Sequence, residues 1–204
     1  MASTTALGCR IHTGWAAGVV LAGPVDSPRV LDRRRLDLVD TADPTSAHVF
    51  HRAADLPLPA AAELIDRARS DARARAAAAL DAVMADLLAA GHHLRALGMV
   101  LSKGRLPTDL PAILRSHPLL HSAEGDLYRT ALLDAARHRG LAVTGVAATD
   151  LYATAAKQLH RNEADLRRQA TELGRSLGKP WAQDQKESAM VAWLALESRH
   201  EPSP

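Results

Sequence analysis

The sequence is poor in cysteine and in aromatic residues. Its 204 residues include one cysteine, Cys9, and only 3% Phe, Trp and Tyr. A single cysteine excludes a disulfide framework within the chain and a zinc site built mainly from cysteines. The shortage of aromatic rings argues against a platform on which the bases of single-stranded nucleic acid stack.

The sequence also lacks a large excess of either charge and a long apolar run. The formal net charge is +2, from 25 Lys and Arg against 23 Asp and Glu. This near balance differs from the strongly basic composition of many nucleic-acid-binding domains. No apolar run reaches the roughly 20 residues that a membrane-spanning helix needs, and residues 1–5 lack the features of a secretory signal. We therefore expect a cytoplasmic protein without a membrane partner.

The apolar content that is present suffices for one domain. Hydrophobic residues make up 47% of the chain, and a chain of this length can bury a substantial core. We expect residues 1–200 to form a single α/β domain and residues 201–204 to form a frayed tail.

Apolar patterning predicts five strands, at residues 7–11, 17–21, 29–39, 94–102 and 141–146. In the third strand, Val30, Leu36 and Leu38 are expected to share one face. The run Arg33–Arg35 makes the middle of that strand polar, which an edge strand tolerates.

Helical signals fill the intervals between and after the later strands. Residues 40–59 are predicted to be a loop, and a long helix follows from Pro59 to about Ala90 with apolar positions at helical spacing: Leu80, Val83, Met84, Leu87 and Leu88. Asp109 suits the start of another helix, which Pro118 interrupts or restarts. Further helices are expected after Asp150 and after Pro180, giving the order β-β-β-α-β-α-β-α-α.

The last predicted helix carries two acids, Asp184 and Glu187, although most of its residues are small or apolar. At positions i and i+3 they share a helix face, so they can hold one metal ion together. The ordinary alternative is that acids in a first turn stabilise the helix N-terminus.

A second group of metal-competent residues lies in the segment 116–125, where His117, His121 and Glu124 have the spacing His-x-x-x-His-x-x-Glu. On a continuous helix the three side chains lie near one face. If the helix begins at Pro118, His117 is a cap residue and only His121 and Glu124 stay aligned. The alternative is a polar pair packed at the edge of the sheet.

The order of elements and the final helix resemble the RuvC-type Holliday-junction resolvases. The segment 184–192 reads Asp-x-x-acid-small-x-x-x-Ala, a pattern similar to the last helix of that family. The resemblance implies a ribonuclease H-like fold, with a mixed five-stranded sheet whose first three strands are antiparallel. It also implies that Asp184 and Glu187 bind Mg²⁺ or Mn²⁺, and that the protein forms a homodimer.

The sequence departs from the family at two other acidic positions. The family's strand-one Asp falls near Arg10, and its strand-four Glu falls in residues 99–102, which contain no acid. His12 lies close to Arg10 and is a candidate substitute ligand or base. We therefore predict a rewired pocket in which His12, His121 and Glu124 are catalytic and the two final-helix acids bind metal.

Arg33 and Arg35 point to one face of the third strand and are predicted to contact nucleic acid. The alternative for such a run is a solvated edge.

Three functions follow from these features. The missing acids favour a catalytically degenerate resolvase relative that binds DNA, RNA or a protein partner. The alternatives are a divergent metal-dependent nuclease that cleaves phosphodiester bonds of structured nucleic acid, and a small-molecule enzyme that uses the His/Glu site.

Overall fold

The protein is built on a five-stranded sheet with the strand order β3-β2-β1-β4-β5. The computed structural model describes residues 3–43, 45–102, 104 and 106–198, so the predicted tail at 201–204 lies outside the described residues. The strands are β1 (Ser3–His12), β2 (Trp15–Ala22), β3 (Arg29–Asp37), β4 (His92–Leu101) and β5 (Ala142–Ala147). The first three pair in antiparallel fashion, whereas β4 pairs in parallel with both β1 and β5. This is the predicted mixed sheet.

Helices cover both faces of the sheet: α1 (Val49–Ala54), α2 (Leu58–Ala89), α3 (Leu110–Leu114), α4 (His117–His138), α5 (Leu151–Gln158), α6 (Glu163–Glu172) and α7 (Gln183–Glu197), with a 3₁₀ turn at Ala148–Asp150. Among the described helices, none combines the length and apolar composition of a membrane span. The prediction of a continuous loop at residues 40–59 was wrong. Val49, Phe50 and Ala53 have the spacing of a buried helix face, and α1 forms because they pack into the core.

The core has two layers, one on each face of the sheet. Leu7 and Cys9 belong to the layer shared with α1, α2 and α4, whereas Ala6 belongs to the layer shared with α5, α6 and α7. Because successive side chains of a strand point to opposite faces, the even-numbered residues of β1 face α7. Arg10 and His12 therefore reach the end of β1 on the α7 side.

Two paired glycines allow α7 to lie close to the centre of the sheet. Gly8 of β1 and Gly98 of β4 are register partners. A Cβ atom on Gly8 would overlap the carbonyl oxygen of Ser188, and one on Gly98 would overlap the carbonyl oxygen of Val191. The same contact is fixed by the Ser188 hydroxyl, which donates to the Ala17 carbonyl at 2.9 Å. Because neither glycine of this pair has a side chain, the first half of α7 can pack directly against the strands.

The edge strand β3 is regular at one end only. Its pairing with β2 shifts register between Val20 and Leu21, which leaves an irregularity at the facing part of β3. As a result Val30 packs against the α7 layer, whereas Leu36 and Leu38 pack against the opposite layer. The prediction that these three residues share a face was wrong, because an extra residue in a strand reverses its alternation.

The long helix α2 buries a narrower face than its apolar pattern predicts. Leu80, Val83 and Leu87 are buried as expected, but Leu88 is 60% exposed. Toward its N-terminus the buried face continues mainly as alanines, which include Ala72 and Ala76. Small side chains let α2 approach α4 closely along this face.

Candidate functional site

The end of β1 brings Arg10 against both acids of α7. Arg10 Nη1 donates to Glu187 Oε2, and Arg10 Nε lies 3.0 Å from Asp184 Oδ1. The Nε hydrogen has no aligned acceptor, so its contact with Asp184 is an ion pair without a hydrogen bond. Glu187 is only 7% exposed, and its second oxygen accepts a hydrogen bond from Gln183 Nε2 at 2.7 Å. The guanidinium of Arg10 therefore forms ion pairs with both carboxylates.

His12 adds a second basic group to Asp184. Its Nε2 lies 2.9 Å from Asp184 Oδ2. The imidazole stacks on Trp15 with ring centroids 4.3 Å apart, and the Arg35 guanidinium lies 4.3 Å from the Trp15 ring centroid. The hairpin residue Trp15 thus holds the His12 ring in a defined orientation toward the carboxylate.

The acids of α7 do not fit a divalent ion as they stand. Mg²⁺ requires a nearly octahedral set of oxygen ligands, but here the Arg10 guanidinium occupies the space between the two carboxylates and supplies the positive charge. At the end of β4, the described Ser102 hydroxyl accepts a hydrogen bond from Arg129 Nη1 at 3.0 Å. Of the two positions where the resemblance places an additional acid, the first therefore holds a basic residue, and the second contacts one through Ser102. First-turn stabilisation of α7 accounts for Asp184 but not for Glu187, which lies beyond the first turn.

A second group of titratable side chains forms on the opposite layer. We call it the His/Glu cluster; it comprises His48, His51, His117, His121 and Glu124. Because α4 begins at His117, that residue is part of the helix, and its ring lies 4.6 Å from the ring of His121 one turn later. The short helix α1 and its N-cap supply the other two histidines.

Glu124 is fully buried at the centre of this cluster. Its Oε1 lies 2.8 Å from His51 Nδ1 and accepts from the His51 backbone N–H at 3.4 Å, and its Oε2 lies 3.3 Å from His48 Nδ1. Nearby, the Tyr128 hydroxyl donates to the Ala47 carbonyl at 2.8 Å. Burial, and secondarily the negative charge of Glu124, raise the pKa of Tyr128 above its ordinary value.

The predicted pocket residues thus lie in two groups. His12, Asp184 and Glu187 meet around Arg10 on the α7 side, whereas His121 and Glu124 meet around His51 on the α4 side. Among the described contacts, none joins one group to the other.

The two predicted nucleic-acid contacts have partners within the chain. Arg33 Nη1 donates to the carbonyls of Gly178 at 3.0 Å and Pro180 at 2.6 Å. Arg35 Nε donates to Asp37 Oδ1 at 2.5 Å while it covers Trp15. Arg33 therefore fixes the segment that leads into α7, and Arg35 supports the His12 ring.

His48 and His51 were missed in the sequence because residues 40–59 read as a loop. The spacing i, i+3 was the available signal, since it aligns the two rings once a helix forms there. No sequence pattern near Gln183 or Arg10 predicts that these residues contact the acids of α7.

The pairing of the strands and the placement of α7 define the fold. Three antiparallel strands, two further parallel strands and a final helix across the centre of the sheet form a ribonuclease H-like fold, as predicted. The layout is that of RuvC from Thermus thermophilus: a structure of that protein in complex with Holliday junction substrate has a TM-score of 0.53 and 14% identity, covering 96% of this chain and 94% of that chain. A second Thermus thermophilus RuvC structure has a TM-score of 0.53 and 12% identity, covering 96% and 95%.

At these identities the likeness concerns the fold alone. No protein-family model matches the sequence, and a search of curated proteins found no significant match. The chemistry of the site must therefore be argued from the residues of this chain.

Proposed function

We propose that the protein binds structured DNA through a resolvase-like fold without cleaving it at the α7 site. The observation that carries this proposal is the position of Arg10, which pairs with both Asp184 and Glu187. Two-metal cleavage of a phosphodiester needs carboxylates that are free to bind ions at the attacking and leaving oxygens. Here both carboxylates pair with one guanidinium, which belongs to the chain and cannot leave the site as a bound ion can.

The same pairing lessens the repulsion between this site and a phosphate backbone. Two uncompensated carboxylates at this position would repel phosphate oxygens. With Arg10 beside them, one of the two negative charges is balanced, and Arg10 keeps 27% of its side chain exposed. Phosphate binding at this end of the sheet is therefore compatible with the arrangement, whereas metal-dependent cleavage is not.

Structured DNA is the proposed ligand because one similar protein was solved with a Holliday junction. The likeness extends over 96% of this chain, so the surface that surrounds the end of β1 has a counterpart in that protein. A labelled four-way junction is the appropriate first probe, with a linear duplex of matched length as the competitor. Self-association, which the resemblance implies, is tested on the same samples by sedimentation.

The central experiment compares the wild type with Arg10→Asp, which restores an acid on β1. Mg²⁺ binding is followed by calorimetry, since imidazole clusters bind this ion poorly. We expect no Mg²⁺ site with a dissociation constant below about 1 mM in the wild type, and at least tenfold tighter binding in the variant. Junction binding by the wild type should be the same with Mg²⁺ and with EDTA, and no cleavage should occur.

Two results would contradict the proposal. One is Mg²⁺-dependent cleavage of the junction by the wild type that is lost in Asp184→Asn. The other is failure of the wild type to bind the junction more tightly than the matched duplex.

A second candidate function is a nuclease with His12 as general base. The 2.9 Å contact between His12 Nε2 and Asp184 Oδ2 favours it, because a carboxylate can orient an imidazole for proton transfer. In that case cleavage persists in EDTA, is abolished in His12→Ala and is retained in His138→Ala, which changes the last residue of α4.

A further inference from the structure

We infer that His51, His117 and His121 bind a Zn²⁺ ion, with Glu124 as the residue that positions His51. This site lies on the α4 layer of the sheet and is independent of Arg10 and α7. Imidazole nitrogens suit Zn²⁺ and poorly suit Mg²⁺. Three histidines are a known ligand set for this ion, with a water molecule in the fourth position.

The three imidazole rings lie close together in the structure. The ring centroid of His51 lies 5.2 Å from that of His117 and 4.5 Å from that of His121, and the centroids of His117 and His121 are 4.6 Å apart. One nitrogen from each ring lies within 4.8 Å of the others. Tetrahedral coordination at about 2.0–2.1 Å requires nitrogens roughly 3.3 Å apart. Small rotations of two exposed side chains, His117 and His121, bring the nitrogens to that spacing.

Glu124 engages Nδ1 of His51 and leaves Nε2 for an ion. In the tautomer with the proton on Nδ1, His51 donates to Glu124 Oε1 across their 2.8 Å contact. The lone pair of the neutral ring is then on Nε2, the nitrogen left free for an ion. A carboxylate behind a ligating histidine is a common arrangement in metal sites, because it orients the ring and raises its basicity.

An ion also suits a buried carboxylate that contacts two histidines, His48 and His51. Glu124 has no exposed surface, and an unpaired charge in such a position is costly. A divalent ion bound to His51 places positive charge near Glu124.

The alternative ligand set in the same cluster is less suitable. His48, His51 and Glu124 also have donor atoms within 4.8 Å of one another. Binding there would require an ion to enter beside a carboxylate that is fully buried. The exposed rings of His117 and His121 instead give Zn²⁺ direct access from solvent.

The test is a titration of the full-length, chelator-treated protein with Zn²⁺ in competition with a chromophoric chelator. We expect one Zn²⁺ per chain. His117→Ala and His121→Ala, which alter exposed side chains, should each weaken binding at least tenfold. Glu124→Gln should weaken it by about 10- to 100-fold, as expected for loss of a positioning carboxylate. His138→Ala, at the other end of α4, should leave affinity unchanged.

Substitution with Co²⁺ gives an independent signal, because its visible absorption reports the coordination geometry. The expected result is a tetrahedral spectrum in the wild type and in His138→Ala that is lost in His121→Ala. The inference is overturned if the wild type fails to bind one Zn²⁺, or if His138→Ala weakens binding as much as His121→Ala does. Circular dichroism verifies that each variant is folded, and junction binding, which rests on the α7 side, is measured separately.

Discussion

Arg10 links two segments that are 177 residues apart in the sequence through its pairing with Glu187. Removal of one partner of a buried ion pair costs more than the pair contributes, because the other charge remains without compensation. Glu187 is the buried partner, whereas Arg10 and Asp184 keep access to solvent. The stability of the start of α7 therefore depends on the guanidinium more than on either acid alone.

We predict that Arg10→Met lowers the free energy of unfolding by about 2 kcal/mol or more, because it leaves Glu187 buried and unpaired. Urea denaturation measures the change, and Lys186→Met on the same turn of α7 is the matched control, with an expected change within about 0.5 kcal/mol. The double variant with Glu187→Gln should recover part of the loss. Equal losses in Arg10→Met and Lys186→Met would show that the pairing is unimportant.

At the residue scale, local pattern identified the candidates but not their partners. The spacing of Asp184 and Glu187 predicted a shared face correctly, and the absence of an acid at residue 10 was evident from the sequence. That Arg10 would occupy the face between them follows from strand pairing and from the position of α7. His48 and His51 show the same limit, since their contact with Glu124 depends on a short helix held by tertiary packing.

Among the elements, α7 is positioned by two glycines of the sheet that have no side chain. Gly8 and Gly98 lie side by side beneath it, and either would collide with the helix backbone if it carried a side chain. A backbone cannot yield as a flexible side chain can, so a substitution here must move the whole helix. Such a movement would also separate Arg10 from its two acids.

We predict that Gly98→Ala destabilises the protein by about 3 kcal/mol or more. Gly125→Ala is the matched control. Gly125 lies inside α4, and a Cβ atom there meets nothing within 4 Å, so alanine should stabilise that helix by about 0.5–1 kcal/mol. Thermal unfolding of the two variants beside the wild type measures both changes. A Gly98→Ala protein as stable as the wild type would mean that α7 is not tightly seated.

The strands and long helices were predictable because their apolar periodicity is local. All five strands and α2 appear close to their predicted positions. The local reversal in β3 was not predictable, since it arises from its register with β2. Helix α1 was hidden by its length: six residues carry too little pattern to distinguish a helix from a loop.

On the scale of the whole molecule, one buried thiol and two tyrosine hydroxyls make the stability of the fold depend on pH. Burial raises the pKa of the Cys9 thiol above its ordinary value of 9.0, and burial likewise raises the pKa of Tyr128 and of Tyr152 above 10.0. Groups with raised pKa values bind protons more tightly in the folded state. Their contribution to the free energy of unfolding is complete at pH values below the unfolded-state pKa. It is lost progressively as the pH rises from the unfolded-state pKa to the folded-state pKa.

We therefore predict that the free energy of unfolding declines above about pH 9, by up to about 1.4 kcal/mol per pH unit for each buried group. Urea denaturation between pH 7 and pH 10.5 measures the profile. In Cys9→Ala the decline should begin about one pH unit later, because the first group to titrate in the unfolded chain is gone. An unchanged profile in that variant would exclude Cys9 as a source of the pH dependence.

The order in which the chain is synthesised gives the paired glycines a further consequence. Gly8 emerges from the ribosome early, and β4 with Gly98 follows after α2, but the helix that covers both comes much later. Until α7 has emerged, the apolar face around these glycines has no cover from that helix, and parallel pairing of β1 with β4 already requires closure of a long loop. Folding of the nascent chain is therefore expected to finish only after α7 is released, and that uncovered face is a natural target for chaperones.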